Sequence, residues 1–117
     1  MPAITLSLIG LVALLHVYFL VLEMFLWTRP LGMKVFRLTR EKAEATKVLA
    51  ANQGLYNGFL AAGLAWSIIG ERRDVATFFL ACVIVAGLYG AATVNKRIFV
   101  VQSVPALLAL AVLWFAG

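Results

Sequence analysis

Ionisable side chains are scarce in this sequence. Lys, Arg, Asp and Glu make up 13% of its 117 residues, about half the share of an average soluble domain. Hydrophobic residues make up 64%, against roughly 45–50% in soluble proteins. A domain of this size has too little interior to hide so much apolar surface from water, so the surplus is expected to face lipid. Cysteine occurs once, as Cys82 inside an apolar run. That excludes an intrachain disulfide, and apolar surroundings disfavour a reactive thiolate. Histidine also occurs once, as His16. With no second His or Cys at ligand spacing, no metal site is expected. P-loop, dinucleotide and Ser-His-Asp patterns are missing too. The net charge is +5, but the cations fall between apolar runs without interleaved exposed aromatics. Nucleic acid is therefore not an expected partner.

What is present is a set of long apolar runs. They begin at Ala3, Val48, Val75 and Ile98 and end at Trp27, Ile69, Val94 and Ala116. Each is long enough to cross a bilayer, which takes about 20 residues. The first run has no Lys or Arg before it and no small-residue cleavage site after it, so a retained helix is expected rather than a signal peptide. Short turns at Gly70–Asp74 and Asn95–Arg97 make neighbouring helices antiparallel. The predicted fold is all-α: one integral membrane four-helix bundle, up-down-up-down, with helices at about 3–27, 40–69, 75–94 and 98–116. The second helix starts before its apolar run because Thr39 is a good N-cap and Arg40–Lys47 holds helix formers, with Arg40 and Glu44 at i,i+4.

Charge sets the orientation. The first connection carries Arg29, Lys34, Arg37, Arg40, Lys42 and Lys47, and the third carries Lys96 and Arg97. The second carries Arg72 and Arg73 beside Glu71 and Asp74. The positive-inside rule puts connections 28–47 and 95–97 in the cytoplasm and both termini on the outer side. Arg29-Pro30-Leu31-Gly32 is expected to break the first helix. Met33, Phe36 and Leu38 alternate loosely with Lys34 and Arg37, a pattern that suits an anionic leaflet. A solvated basic loop that only sets topology is the alternative.

Polar groups inside a span usually face helices, water or a ligand. Glu23 follows His16 by seven residues, about 10 Å nearer the cytoplasm on nearly the same face. Asn52, Gln53, Tyr56 and Asn57 lie in the same half of the second helix and cover one side of it, and Gln102 lies early in the fourth. These six (Glu23, Asn52, Gln53, Tyr56, Asn57 and Gln102) are the candidate ligand-binding residues of a pocket that opens to the cytoplasm, with Lys96 nearby. The alternative is that the amides bind one another and lock the bundle, and that Glu23 pairs with Arg29 or Lys47. His16 is read as a satisfied core histidine or, with Glu23, as a proton relay. Gly54 and Gly58 form a G-x-x-x-G pair that Ala50 and Ala62 extend, and Ala86 with Gly90 gives the third helix a similar face. Such stripes serve packing within the chain or between copies. Pro105 is expected to kink the fourth helix and free a carbonyl near Val101 and Gln102.

The run from Ala51 to Leu60, with Glu23 and Trp27 before it and Asn95-Lys96-Arg97 after it, resembles a family of small four-helix bacterial membrane proteins. That family is catalogued as a domain of unknown function. The resemblance covers nearly the whole chain and implies a bacterial inner (plasma) membrane location. A more distant resemblance is to the MAPEG proteins, four-helix trimers that bind glutathione near the cytoplasmic end of helix 2. Asn52 and Tyr56 match that family's Asn and Tyr, while Leu55 stands for its Glu and Val48 for its Arg. Tyr89, Lys96 and Arg97 fall near its helix-3 Tyr and catalytic Arg, so the resemblance makes them the catalytic candidates and glutathione the cofactor. The residues themselves show no cofactor motif.

Three functions are therefore expected. The first is an oligomer, dimer or trimer, binding a small amphipathic ligand or membrane lipid. The second is a MAPEG-like transferase acting on a thiol or a lipophilic electrophile. The third is a small transporter or channel component coupled through Glu23 and His16.

Overall fold

The computed structural model describes residues 1–115; Ala116, where the predicted fourth helix ends, and Gly117 lie outside the described residues. All regular structure among the described residues is helical: α1 (Ala3–Met24), α2 (Pro30–Phe36), α3 (Arg40–Ile69), α4 (Arg73–Thr93), a π-helical turn (Phe99–Ser103) and α5 (Val104–Phe115). Two helices, α1 and α4, are long and apolar enough to cross a membrane, and Phe99–Phe115 is a shorter apolar helix. In α3 the amides of Asn52, Gln53 and Asn57 dilute the apolar character. The chain forms two compact units, one of Met1–Leu14 with Leu60–Gly117 and one of Leu15–Phe59.

The larger unit is built on an apolar core. Ile9, Val12, Leu64, Ala76, Leu80, Val83, Ala106, Ala109 and Leu113 are buried together. On α4 the buried positions 76, 80, 83 and 87 recur at helical spacing. Small residues set the distances. A Cβ on Gly63 would strike the Phe79 ring at 2.3 Å. A Cβ on Gly87 would stand 1.9 Å from Ser103 Oγ, and one on Gly90 would stand 2.8 Å from Ile98 Cγ2. Ser103 Oγ donates to the Ile84 carbonyl at 3.0 Å, so the π turn is fastened to α4 where Gly87 admits it.

That π turn replaces the predicted kink. Pro105 has no N–H for the Val101 carbonyl, so an unbroken α-helical ladder cannot pass through it. The preceding turn widens instead, and the Val104 N–H donates five residues back to Phe99. At the far end of the unit the Arg73 guanidinium donates to the Leu113 carbonyl at 2.5 Å and sits 4.7 Å from the Trp114 ring. Trp114 Nε1–H donates to Thr77 Oγ1 at 2.9 Å. These contacts tie the start of α4 to the end of α5. Between α3 and α4, Arg72 N–H returns to the Ser67 carbonyl at 2.9 Å. The left-handed residue of that turn is Glu71, at φ 49°, not the neighbouring Gly70.

In the smaller unit α1 ends at Met24, three residues before the expected Trp27. The chain must reverse before Pro30, and Leu26 and Arg29 already make turn bonds, to Val21 and Leu26. Trp27 is thereby taken off the helix. Its Nε1–H donates to Thr46 Oγ1 at 3.0 Å, and its ring lies 4.8 Å from Phe36. Pro30 does break α1, but it also starts α2, because its fixed φ and missing N–H suit a first helical position. A Cβ on Gly32 would stand 1.9 Å from the Leu26 carbonyl oxygen, so this helix lies directly against the turn before it. It closes with Leu38 N–H on the Met33 carbonyl at 2.8 Å and Arg37 left-handed at φ 54°. Thr39 caps α3 as expected, its Oγ1 accepting from Lys42 N–H at 3.1 Å. The ion pair on this stretch is Glu44–Lys47 at 3.2 Å, not the predicted Arg40–Glu44.

The Gly87–Ser103 approach yields a stability prediction. Gly87→Ala is expected to destabilise the detergent-solubilised protein by about 1–3 kcal/mol through overpacking. Adding Ser103→Gly, which removes the obstructing side chain, restores most of that loss. Thermal melts of the wild type, single and double variants check this; a Gly87→Ala protein that melts with the wild type contradicts it.

Candidate functional site

The seam of α3 in the smaller unit is written in small residues. Ala43, Ala50, Gly54 and Asn57 are buried and Thr46 is half-buried. Their spacing keeps them on one side of the helix. A Cβ on Gly54 would meet Met24 Cγ at 2.6 Å, Glu23 Cβ at 3.1 Å and the Leu20 carbonyl oxygen at 3.2 Å. One on Gly58 would meet Leu20 Cδ1 at 2.7 Å. The G-x-x-x-G pair thus serves packing within the chain, bringing α3 against the end of α1. The small seam continues at Ala61, which is buried, instead of the expected Ala62, which is exposed.

This approach brings two of the predicted polar residues together. Glu23 and Asn57 are both buried, and Asn57 Nδ2 donates to Glu23 Oε1 at 2.5 Å. Neither Arg29 nor Lys47 takes the carboxylate: the salt bridges among the described residues leave Glu23 out. The second oxygen, Oε2, has no hydrogen-bond partner among the described residues. It is also absent from the fully enclosed unpaired atoms, of which Thr5 Oγ1 is the one case there. Glu23 also lines a cleft of about 340 Å³, together with Met24, Phe25, Trp27, Thr28, Lys47, Val48 and Ala51.

The other predicted residues stand elsewhere. Asn52, Gln53 and Tyr56 lie off the seam and are exposed; the Tyr56 ring meets Phe59 of its own helix edge-on, with centroids 6.0 Å apart. At 3.6 residues per turn the four share an arc of about 140°, and only its edge at Asn57 falls on the buried seam, so of the four Asn57 meets Glu23. His16 is fully buried and meets Phe19 edge-on at 5.3 Å. In the larger unit Gln102 is half-buried on the π turn, while Tyr89, Lys96 and Arg97 are exposed. Asn95 Oδ1 accepts from the Arg97 N–H at 2.7 Å, which closes the turn after α4. Among the described residues no group of three or more His, Cys, Asp or Glu side chains is gathered as for a metal ion.

Sequence reasoning missed Thr46 and Thr28. Thr46 anchors Trp27 while donating to the Lys42 carbonyl at 2.8 Å, and Thr28 lines the cleft. The signal for Thr46 was available: the spacing of Asn57, Gly54 and Ala50, carried one turn further back, reaches it. The arrangement offers a carboxylate held at one oxygen by an amide, in the lining of a cleft. Chemically it can accept a hydrogen bond or a positive charge.

If the pair is the polar lock of this unit, Asn57→Leu leaves a buried acceptor without its donor and costs about 1–3 kcal/mol. Glu23→Leu combined with Asn57→Leu recovers most of that loss, because removing both partners leaves nothing unsatisfied. A double-mutant cycle of melting temperatures measures the coupling; additive losses would contradict the lock.

Comparison with known proteins agrees with the resemblance carried by residues 51–60. The family model described as "Protein of unknown function (DUF1304)" matches residues 10–114. The "Uncharacterized protein YpaA" of Lactococcus lactis subsp. lactis (strain IL1403) is 35% identical over 114 residues, covering 94% of this chain and 96% of that protein. No solved structure matches the chain significantly. With nearly its whole length matched, the chain belongs to the DUF1304 family of proteins of unknown function.

Proposed function

We propose that this protein resides in a bacterial plasma membrane and binds a small amphipathic molecule. In this reading α1, α3, α4 and the stretch Phe99–Phe115 cross the bilayer in turn as an up-down-up-down four-helix bundle. Residues 28–47 and 95–97 lie in the cytoplasm and both termini outside. Support for membrane residence comes from the hydropathy of α1 and α4 and from large apolar side chains left exposed, among them Leu14, Phe78, Val85 and Leu108. In water such a surface would be an aggregation hazard; in lipid it is the natural exterior. The same exposed faces fit a homodimer or homotrimer.

The observation that carries the binding reading is that Glu23, buried and in no salt bridge among the described residues, lines the cleft. A carboxylate is expensive at this depth of a span and is usually retained for a use. Its surroundings combine a buried polar floor with apolar edges at Phe25 and Val48, both exposed, as an amphipathic guest requires. The MAPEG-like transferase is the second reading. Tyr89, Lys96 and Arg97 are exposed, and no enclosing wall favours them as a reaction site, so binding ranks ahead of glutathione chemistry. Transport through Glu23 and His16 ranks third, since His16 is packed against Phe19.

Topology is tested by labelling intact cells with a membrane-impermeant thiol reagent in a Cys82→Ala background. Cysteine placed at Glu71 is expected to react, and cysteine at Lys34 or Lys96 only after the membrane is permeabilised. Labelling of Lys34→Cys in intact cells would overturn the orientation. Ligand binding is tested by native mass spectrometry of the protein extracted from its membrane. A retained small amphiphile that is lost in Glu23→Gln supports the reading, and identical spectra for the two proteins count against it.

A further inference from the structure

The cleft of the smaller unit has a chemical polarity of its own. Among its lining residues Glu23 is the buried one that carries a carboxylate, an acceptor with no Lys or Arg ion pair among the described residues. Lys47 lines the same cleft yet is drawn to Glu44 at 3.2 Å. That pair is about half exposed on both sides, so it is weak and easily exchanged. The outer lip is apolar, with Phe25 and Val48 both exposed. A guest that fits must bring a positive donor to the floor and an alkyl chain to the lip.

We infer that the cleft accepts the ammonium group of an amphiphile, with Glu23 as its counter-ion and Lys47 free to take an adjacent anionic group. This rests on the reading of the cleft as a binding site. Three features of the geometry carry it. Asn57 donates to Oε1 and so restrains the carboxylate, and Glu23 itself lines the cleft. Gly54 keeps α3 close enough for that bond to form. Trp27, clamped through its Nε1–H to Thr46, holds an aromatic wall beside the site, and aromatic faces attract cations. An anionic or neutral head would leave the carboxylate repelled or unmatched. Two sources share the required chemistry, the headgroup of an aminophospholipid and a free lipophilic amine.

The test uses the full chain in dodecylmaltoside micelles and titration calorimetry with octylammonium, octanol and octyl phosphate. Octylammonium is expected to bind about tenfold or more tighter than octanol, as a single charge-assisted hydrogen bond supplies. Glu23→Gln, which keeps a carbonyl oxygen for Asn57, is expected to reduce the amine to the level of the alcohol. The amine-to-alcohol comparison on the wild type needs no variant and so stands even if Glu23→Gln folds poorly. Equal binding of amine and alcohol, or preference for the phosphate, overturns the ammonium inference while leaving a binding site in place. If none of the three binds, the binding-site reading falls with it. A parallel arm reconstitutes the protein with equal phosphatidylethanolamine, phosphatidylglycerol and phosphatidylcholine and weighs the retained lipid by native mass spectrometry. Enrichment of phosphatidylethanolamine identifies the lipid headgroup as the source; octylammonium binding without it identifies a free amine.

Discussion

The bond between Asn57 and Glu23 exists because Gly54 has no side chain. The α3 backbone at Gly54 lies so near α1 that an added Cβ would press on Met24, Glu23 and the Leu20 carbonyl. Held that close, the helix turn that follows delivers the Asn57 amide to the carboxylate. Within residues 15–59 the rest follows. The carboxylate is held by one oxygen, Glu23 lines the cleft, and Trp27, anchored on Thr46, stands in the same lining. Where apolar surroundings supply little net attraction between helices, such close backbone contact and interhelical hydrogen bonds hold them together.

A polar pair inside an apolar unit has a cost. Replacing a buried polar or ionic pair by well-packed apolar side chains is often neutral or stabilising. Glu23 and Asn57 are therefore weak candidates for stability alone, and their value lies in what they specify. They fix how α1 and α3 are aligned within the unit, and they present an acceptor at a defined place. His16 is buried in the same unit and set edge-on against Phe19.

The larger unit solves a different problem with the same means. Beside its apolar cluster it buries the hydroxyls of Thr5, Ser67 and Ser103, and close contacts are made at Gly63, Gly87 and Gly90. Pro105 removes one donor from the last helix, and the π turn re-routes the ladder around it. Ser103, brought against Gly87 by that wider turn, then bonds the Ile84 carbonyl. A helix defect becomes an anchoring point.

Much of this was legible in the residues. Apolar runs separated by short charged or glycine-containing turns determined an all-helical chain, because backbone groups within apolar runs must be satisfied locally. Thr39 announced the start of α3, Pro30 the break after α1, and Gly54 with Gly58 a close helix approach. The site was only half legible. Periodicity located Glu23, Asn52, Gln53, Tyr56 and Asn57 at one depth and the last four on one side of α3, yet it does not say which part of that side meets α1. Which face turns inward is decided by packing, and the small seam through Ala50 and Gly54 selected Asn57 and left Asn52, Gln53 and Tyr56 exposed. The early stop of α1, the second helix begun by Pro30, the left-handed Arg37 and Glu71, and the π turn were likewise decided only in three dimensions. Each depends on where a distant segment must go, and local preference carries no record of that. The scarcity of charge and the long apolar runs belong to the sequence alone; the partner of the one acidic group in the first run belongs to the tertiary structure, because a glycine one turn away on another helix sets the distance.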